Sequence, residues 1–136
     1  MDVQNYELHG VRVVEFPKAG DQLRNDRQAI EMISEASPYT PELIVIPVER
    51  FSDDFFQLKT RVAGEILQKF VTYRKRVVIF GDISKQLSES SALRDFVYEC
   101  NKGHHVWFLT TVEELDRKLL GMNDQNFINS KPSRQG

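Results

Sequence analysis

Hydrophobic positions along the chain fall into short runs typical of β-strands, separated by longer stretches with the spacing of helices. Two runs, Val3–Leu8 and Val11–Phe16, are separated only by His9-Gly10, a dipeptide typical of a β-hairpin turn. Three later runs are continuously apolar, which is typical of strands covered on both faces. They are Leu43–Ile46, Val77–Phe80 and Val106–Leu109.

Helical spacing fills the stretches between these strands. Asp26–Ala36 is predicted to be a helix that the prolines after it stop, Pro38 first. The clearest helix is predicted to begin at Ser52, an N-cap residue, with Asp53 and Asp54 beside the positive end of its dipole. Its inward face is predicted to consist of Phe55, Leu58, Val62, Ile66, Phe70 and Tyr73.

Two more helices complete the pattern. Ser90 or Ser91 is a suitable N-cap for the first of them, and Gly103 is its predicted end. Thr111 and Glu114 have the spacing of a capping box, which predicts the start of the last helix.

The resulting order of elements, β-β-α-β-α-β-α-β-α, indicates an α/β fold. Strands that alternate with helices are parallel and joined by right-handed crossovers, so we expect a mixed, mostly parallel sheet of about five strands with helices packed on it. The N-terminal hairpin adds an antiparallel pair at one side. The last helix is predicted to end at Gly121, which gives one domain over residues 1–121 and a polar tail over residues 122–136.

The charge balance and the cysteine content exclude some kinds of partner and some kinds of metal site. The chain has 18 basic and 20 acidic side chains and a net charge of -2, so it lacks the positive surplus that binding to nucleic acid requires. Cys100 is its single cysteine, which excludes an internal disulfide and a cysteine-rich metal site. The adjacent histidines His104 and His105 would point to opposite faces of a strand, so we expect no metal. Neither Gly-x-x-x-x-Gly-Lys-Ser nor Gly-x-Gly-x-x-Gly occurs in the chain, and we expect no cofactor.

The lengths of the apolar runs also indicate where in the cell the protein is located. Val77–Phe80 is far too short to cross a bilayer, and Met1–Asn5 has neither the basic start nor the apolar core of a signal peptide. We therefore expect a cytoplasmic protein without a membrane partner.

A resemblance to one family rests on four segments, Phe55–Thr60, Ala63–Phe70, Gly81-Asp82 and Leu93–Phe96. They are similar to segments of an uncharacterised bacterial family named only as domain of unknown function 4180. The similarity extends from the hairpin to Leu119, and it implies no activity because the family has none assigned.

A looser resemblance concerns the helix and strand from Gly64 to Phe80 and the loop, helix, strand and helix that follow them. This order is similar to that of the bacterial anti-sigma-factor antagonist domains, the STAS fold. The resemblance implies a regulatory domain in which a phosphorylatable Ser or Thr begins the corresponding helix, and Thr60 falls near that position. Because the predicted helix begins at Ser52, about two turns earlier, we expect Thr60 to be a helix-surface residue and not a phosphosite.

Candidate site residues come from the carboxyl ends of the predicted parallel strands, where sites form in open α/β sheets. Helix N-termini near Ser52 and Ser91 lie at the same edge and favour an anion. Arg50 precedes the first of them. The residues expected to bind a ligand or partner at this polar edge are Ser52, Asp53, Asp82, Ser84, Lys85, Arg94 and Thr110.

Several features also have a purely structural interpretation. Asp53 and Asp54 are interpreted as helix N-terminal charges in preference to catalytic carboxylates, and Cys100 as a small buried hydrophobe. Gly64 is interpreted as a point of close approach between helix and sheet. Arg74–Arg76 is interpreted as a solvated helix end, with an anion-docking patch as the alternative.

The leading interpretation of function is a non-enzymatic regulatory or protein-interaction domain with a protein partner and no catalytic residue. The alternative is a small-ligand (anion) binding protein or an enzyme that uses the polar edge, with Asp82 and Arg94 as anchors. A homo-oligomeric structural part, such as a homodimer, is a third hypothesis. An enclosed pocket beyond the strand ends would favour a small ligand, and a flatter exposed surface would favour a protein partner.

Overall fold

A computed structural model of the protein describes residues 3–129, with side chains described as far as Gly121. Five strands within this range form one sheet, in which neighbouring strands follow the order of the chain. Each strand lies within one residue of its predicted bounds. The strands are β1 (Gln4–Leu8), β2 (Val11–Glu15), β3 (Leu43–Pro47), β4 (Arg76–Phe80) and β5 (Val106–Leu109).

The sheet is mixed and mostly parallel, as predicted. β1 and β2 form an antiparallel hairpin around His9 and Gly10, and both turn residues have the positive φ angles of a type I′ turn. β2 to β5 pair in parallel, each with the next strand along the chain. Because every crossover moves in the same direction across the sheet, the helices between parallel strands pack on the same face.

Five α-helices connect and cover the strands in the described part of the chain. The Asn25 side chain accepts a hydrogen bond from the backbone N–H of Gln28 and caps the first helix, whose bounds match the prediction. Ser90 caps the fourth in the same way. The helices are α1 (Asp26–Ala36), α2 (Val62–Thr72), α3 (Ser84–Glu89), α4 (Ser91–Lys102) and α5 (Val112–Asn129).

Two apolar cores hold these helices on opposite faces of the sheet. The larger core joins α1, α2 and α4 to strand residues such as Ile44 and Ile79. The smaller core joins α5, through Leu115 and Leu119, to the strand residues that point the other way. All residues of β3 and β5 are buried as a result, which confirms that their continuous apolar runs mark strands covered on both faces.

The main helix, α2, begins at Val62 and not at Ser52, so its predicted start is wrong. Two short 3-10 helices, Asp53–Phe56 and Leu58–Thr60, occupy the first part of the predicted helix. Arg61, with a φ of 68°, separates them from α2.

Aromatic packing explains this break. Phe55 and Phe56 are adjacent in sequence and both are buried. The 3-10 turn brings both rings to Phe51, at centroid distances of 4.5 Å and 6.5 Å. Tyr73, predicted on the inward face of the same helix, is exposed because α2 ends at Thr72.

Two other helix predictions need correction. α5 continues past Gly121, because one glycine costs a helix only about 1 kcal/mol and the next proline is Pro132. α3 occupies a segment that the apolar pattern marks as a polar loop. Residues 130–136 of the predicted tail lie outside the described residues. None of the helices described has the length and apolar character needed to cross a bilayer.

Replacing Gly64 by alanine is expected to stabilise the fold by about 0.5–1 kcal/mol. Gly64 is exposed in the first turn of α2, and a β-carbon added there would meet no atom within 4 Å. The interpretation that Gly64 marks a close approach of helix to sheet is therefore wrong. The glycine costs the helix conformational entropy without a packing contact that requires it. Denaturant unfolding of both proteins measures the difference, and a loss of stability in Gly64→Ala would contradict the expectation.

Candidate functional site

The carboxyl ends of the parallel strands open into a cleft of about 480 Å³, here named the strand-end cleft. Residues that end or follow β2, β3, β4 and β5 line it, together with Gln4 of β1. The polar and charged residues among them are Glu15, Lys18, Glu49, Asp82 and Thr110. The cleft therefore occupies the edge where the sequence predicts a site.

The strand-end cleft is acidic. Glu15, Glu49 and Asp82 contribute carboxylates against the single ammonium group of Lys18. The Tyr6 hydroxyl donates to Glu15 Oε1 at 2.8 Å, and burial, reinforced by this carboxylate, raises the pKa of Tyr6. Among the described residues, no three potential metal ligands lie close enough together to hold an ion. The lining favours an organic cation over the anion that the sequence suggests.

A second cleft, of about 590 Å³, lies between the two 3-10 helices and the segment from α3 to α4, and is here named the loop–helix cleft. Its apolar surface comes from Phe56, Leu58 and Ala92. Two lysines and two acidic residues surround this surface, so their charges balance. The charged and amide residues are Asp53, Gln57, Lys59, Lys85, Gln86 and Glu89.

The structure divides the predicted site residues between these two clefts. Asp53 and Lys85 line the loop–helix cleft, whereas Asp82 and Thr110 line the strand-end cleft. The others, Ser52, Ser84 and Arg94, line neither cleft. The predicted residues are thus not brought together at one point.

Three of the predicted residues hold the short helix α3. Asp82 Oδ1 accepts a hydrogen bond from the Ser84 backbone N–H at 2.9 Å, and hydrogen bonding to Ser84 lowers the pKa of the Asp82 carboxyl. Arg94 Nη1 donates to the carbonyl of Leu87 at 2.6 Å, near the end of the same helix. These contacts give Asp82, Ser84 and Arg94 a structural role.

The start of α5 confirms the predicted capping box. The Glu114 backbone N–H donates to Thr111 Oγ1 at 3.1 Å, and Glu114 Oε1 accepts from the Thr111 N–H at 3.4 Å. The same carboxylate oxygen accepts from the Thr110 N–H at 2.6 Å. The box thereby fixes the backbone of Thr110, whose side chain is exposed at the strand-end cleft.

Replacing Ser52 by alanine is expected to raise the free energy of unfolding by about 1 kcal/mol. Ser52 is buried, and its Oγ has no hydrogen-bond partner among the described residues. Its side chain caps no helix, so the predicted N-cap role is wrong. An unpaired buried hydroxyl costs about 1–3 kcal/mol, and alanine removes it with little change of volume. Urea unfolding measures the effect, and a clear loss of stability would mean that Oγ has a partner in solution.

Thr60 ends the second 3-10 helix and is separated from α2 by Arg61, which corrects its predicted place inside the main α-helix. Its Oγ1 lies 2.7 Å from the carbonyl oxygen of Asp54 and 2.8 Å from that of Gln57, and it accepts from the Val62 N–H at 3.3 Å. A phosphate on this oxygen would disrupt these contacts.

Arg74 follows the end of α2, and Arg76 is the first residue of β4. The Arg74 backbone, with a φ of 59°, donates to the carbonyl of Val71, and Arg76 Nε donates to the carbonyl of His104 at 2.9 Å. Both arginines border a cleft at the amino ends of the strands. Helix C-termini meet at this end, and positive side chains are favoured there, which supports the helix-end interpretation.

Arg50 is buried at the strand-end edge and holds the loop between β2 and α1. Its Nε donates to the carbonyl of Asp21 at 2.9 Å, and its Nη1 donates to that of Pro17 at 3.0 Å. The guanidinium also lies 6.0 Å from the ring centroid of Phe16. A β-carbon on Gly20, whose φ is 138°, would lie 2.7 Å from the guanidinium, so this glycine makes room for Arg50. The arginine is thus engaged by the fold.

Sequence reasoning missed part of both clefts. Glu15 ends a strand that was predicted only as part of the hairpin, and Lys18 follows that strand closely, so these two polar residues were a usable signal. Gln57 and Lys59 were hidden by the prediction of one continuous helix from Ser52, which would not form a cleft with the α3 segment.

Comparison with known families assigns the chain to one of them. A family model described as a domain of unknown function (DUF4180) matches residues 8–119. The chain belongs to the DUF4180 family. The loop–helix cleft of this DUF4180 domain lies wholly within the matched segment, and so does the strand-end cleft apart from Gln4. No curated protein and no solved structure matches the chain.

Proposed function

We propose that this DUF4180 domain is a non-enzymatic regulatory domain of the cytosol that binds a partner protein in the loop–helix cleft. The observation that carries the proposal is the composition of this cleft. It combines an apolar surface with charged and amide groups of both signs, on a surface that is open to solvent. Protein interfaces have the same anatomy, with an apolar centre and a polar rim.

The polar residues at the carboxyl edge of the sheet form hydrogen bonds within the fold, which supports a function without catalysis. Asp82 and Arg94, the anchors of the enzyme hypothesis, are each bonded to the backbone of α3. The thiol of Cys100 packs against the larger core, and burial raises its pKa, which keeps it protonated and unreactive. Catalysis would need a nucleophile and a base within hydrogen-bond reach of each other, and these groups are committed to the fold.

The chemistry of the cleft also indicates what a partner would present. Leu58 is half-buried and Phe56 is almost fully buried, so they offer an apolar contact at the base of the cleft. Lys59 and Lys85 lie in the same lining as Asp53. A partner segment with one apolar anchor between an acidic and a basic side chain would satisfy all of these groups.

A second candidate function rests on the strand-end cleft. Its volume of about 480 Å³ lies within the range of small-ligand sites. Because Glu15, Glu49 and Asp82 outnumber Lys18, the ligand would be an organic amine and not an anion. This candidate ranks second because Glu15 already accepts a hydrogen bond from Tyr6.

The test is affinity capture from the native host with three baits: the wild type, Lys59→Glu/Lys85→Glu, and the control Lys102→Glu. Lys102 is exposed on α4 and lines neither cleft. We expect a protein that the wild type and the control capture equally and the double variant loses. A thermal-shift screen with metabolites runs beside it. A metabolite that stabilises the protein, with no partner sensitive to the double variant, would overturn the proposal.

A further inference from the structure

The two edges of the sheet differ in how they are protected. At the β5 edge, the Asn101 side chain acts as a substitute strand, because its Oδ1 accepts from the Phe108 N–H at 2.7 Å and its Nδ2 donates to the Phe108 carbonyl at 3.2 Å. Lys118 donates in turn to the Asn101 carbonyl. The backbone groups of β5 that point outward at Phe108 are thereby occupied, which prevents pairing with another chain.

Among the described residues, the β1 edge has no comparable bond from a side chain to its outward backbone groups. Four of the five residues of Gln4–Leu8 are exposed. The strand contains no proline, lysine or arginine, and its register with β2 continues without a bulge. These are the devices by which proteins usually block an edge strand. β1 is therefore open to an added strand.

Hairpin geometry determines which residues of β1 point their backbone groups outward. The type I′ turn closes on Leu8 and Val11, which makes them a hydrogen-bonded pair. Because hydrogen-bonded and non-hydrogen-bonded pairs alternate, Glu7 and Asn5 belong to non-hydrogen-bonded pairs and turn their N–H and C=O groups away from β2. Arg12 lies opposite Glu7. Its backbone N–H and its carbonyl both form hydrogen bonds on the side that faces away from β1, as this pattern requires.

We propose that two copies of the chain associate through β1, antiparallel, about a two-fold axis at Tyr6. The sheet then continues from one copy into the other. In this register Asn5 lies opposite Glu7 of the second copy, and each pair exchanges two backbone hydrogen bonds, giving about four in all. The pairing residues Asn5, Tyr6 and Glu7 line neither cleft, so this self-association stands whether or not the proposed function holds.

Charge and hydrogen bonding select this register over its neighbours. A shift in one direction places Glu7 opposite Glu7 of the second copy, and like charges directly opposite are destabilising. A shift in the other direction pairs Asn5 with itself and moves Glu7 opposite Val3, which lies outside the strand. The register centred on Tyr6 pairs a carboxylate with an amide donor twice and places two tyrosines side by side.

The test is sedimentation of the protein over a dilution series. We expect a dimer whose dissociation constant Asn5→Glu raises about tenfold, because the introduced carboxylate then faces Glu7 of the other copy at two places. The double variant Asn5→Glu/Glu7→Lys should restore the dimer, since the facing charges become opposite. Gln68→Glu, which adds the same charge on the exposed side of α2, should change nothing. A protein that is monomeric at every concentration, a dimer indifferent to Asn5→Glu, or a failed rescue by Glu7→Lys would each overturn the proposal.

A cross-link tests the two-fold axis independently of charge. In a Cys100→Ala background, Tyr6→Cys should form a disulfide between two copies under mild oxidation, because residue 6 faces itself across a closely spaced pair. Asn5→Cys should not form one, because residue 5 faces residue 7. Efficient cross-linking at residue 5 and none at residue 6 would rule out this register.

Discussion

Ile66→Ala is expected to lower the free energy of unfolding by about 2–5 kcal/mol. Ile66 lies at the centre of α2 with no exposed surface, inside the larger core between helices and sheet. Truncation removes buried methyl and methylene groups and leaves a cavity that the closely packed surroundings cannot fill. Urea or guanidinium unfolding monitored by the fluorescence of Trp107 measures the loss.

Gln68→Ala is the matched control, because Gln68 lies on the exposed side of the same helix. Its side chain is exposed and donates a hydrogen bond to Thr72 Oγ1 at 3.3 Å, so we expect a change within about 0.5 kcal/mol. Equal losses in the two variants would mean that the buried face of α2 is assigned wrongly.

Arg50→Met is expected to lower the free energy of unfolding by about 3–6 kcal/mol, because bonds to a charged donor contribute about 1.5–3 kcal/mol each and two are lost. Methionine keeps much of the volume beside Phe16 but leaves the carbonyls of Pro17 and Asp21 without their donor. The loop between β2 and α1 should loosen with it. Denaturant unfolding gives the stability, and hydrogen exchange at the amides of residues 18–24 reports on the loop.

Arg50→Lys separates charge from geometry. A lysine keeps the positive charge but lacks the planar fork that reaches both carbonyls, so its stability should fall between those of the wild type and Arg50→Met. If Arg50→Met proves as stable as the wild type, the loop is held by other contacts and the account of Arg50 is wrong.

The sequence correctly predicts the helices and strands that are determined by residues close to them in the chain. The end of α1 follows from the prolines after it, and the start of α5 follows from Thr111 and Glu114. Continuous apolar runs such as Val106–Leu109 identify strands because burial on both faces permits no polar residue. In each case the physical cause lies within a few residues of the element.

Predictions failed where distant contacts decide the structure. Phe55, Leu58 and Val62 have helical spacing, yet the packing of Phe55 and Phe56 against Phe51 replaces the first part of the predicted helix with 3-10 turns. That packing depends on the sheet beneath, which spacing alone does not reveal. The segment that forms the 3-10 turns also lines the loop–helix cleft. Because its secondary structure was predicted wrongly, the cleft was not predicted.

The site could be predicted as a location but not as a set of contacts. The carboxyl edge follows from strand order, and Asp82 and Lys85 do lie along it. Arg94 lies opposite the end of α3, a helix that sequence reasoning did not predict, so its bond to Leu87 could not be foreseen. From the sequence alone, polar residues near strand ends are expected to be available to a ligand. In the structure, a short helix can occupy them with hydrogen bonds to its backbone.

Photo-crosslinking from the loop–helix cleft tests the central claim most directly. A benzophenone amino acid replaces Gln57, which is exposed in this cleft, and in a control protein it replaces Gln68, which is exposed on α2. After illumination in the native host, we predict one predominant protein cross-linked through position 57 and absent at position 68. Cross-linking to the same protein from both positions, or none from position 57, would contradict a partner bound in this cleft.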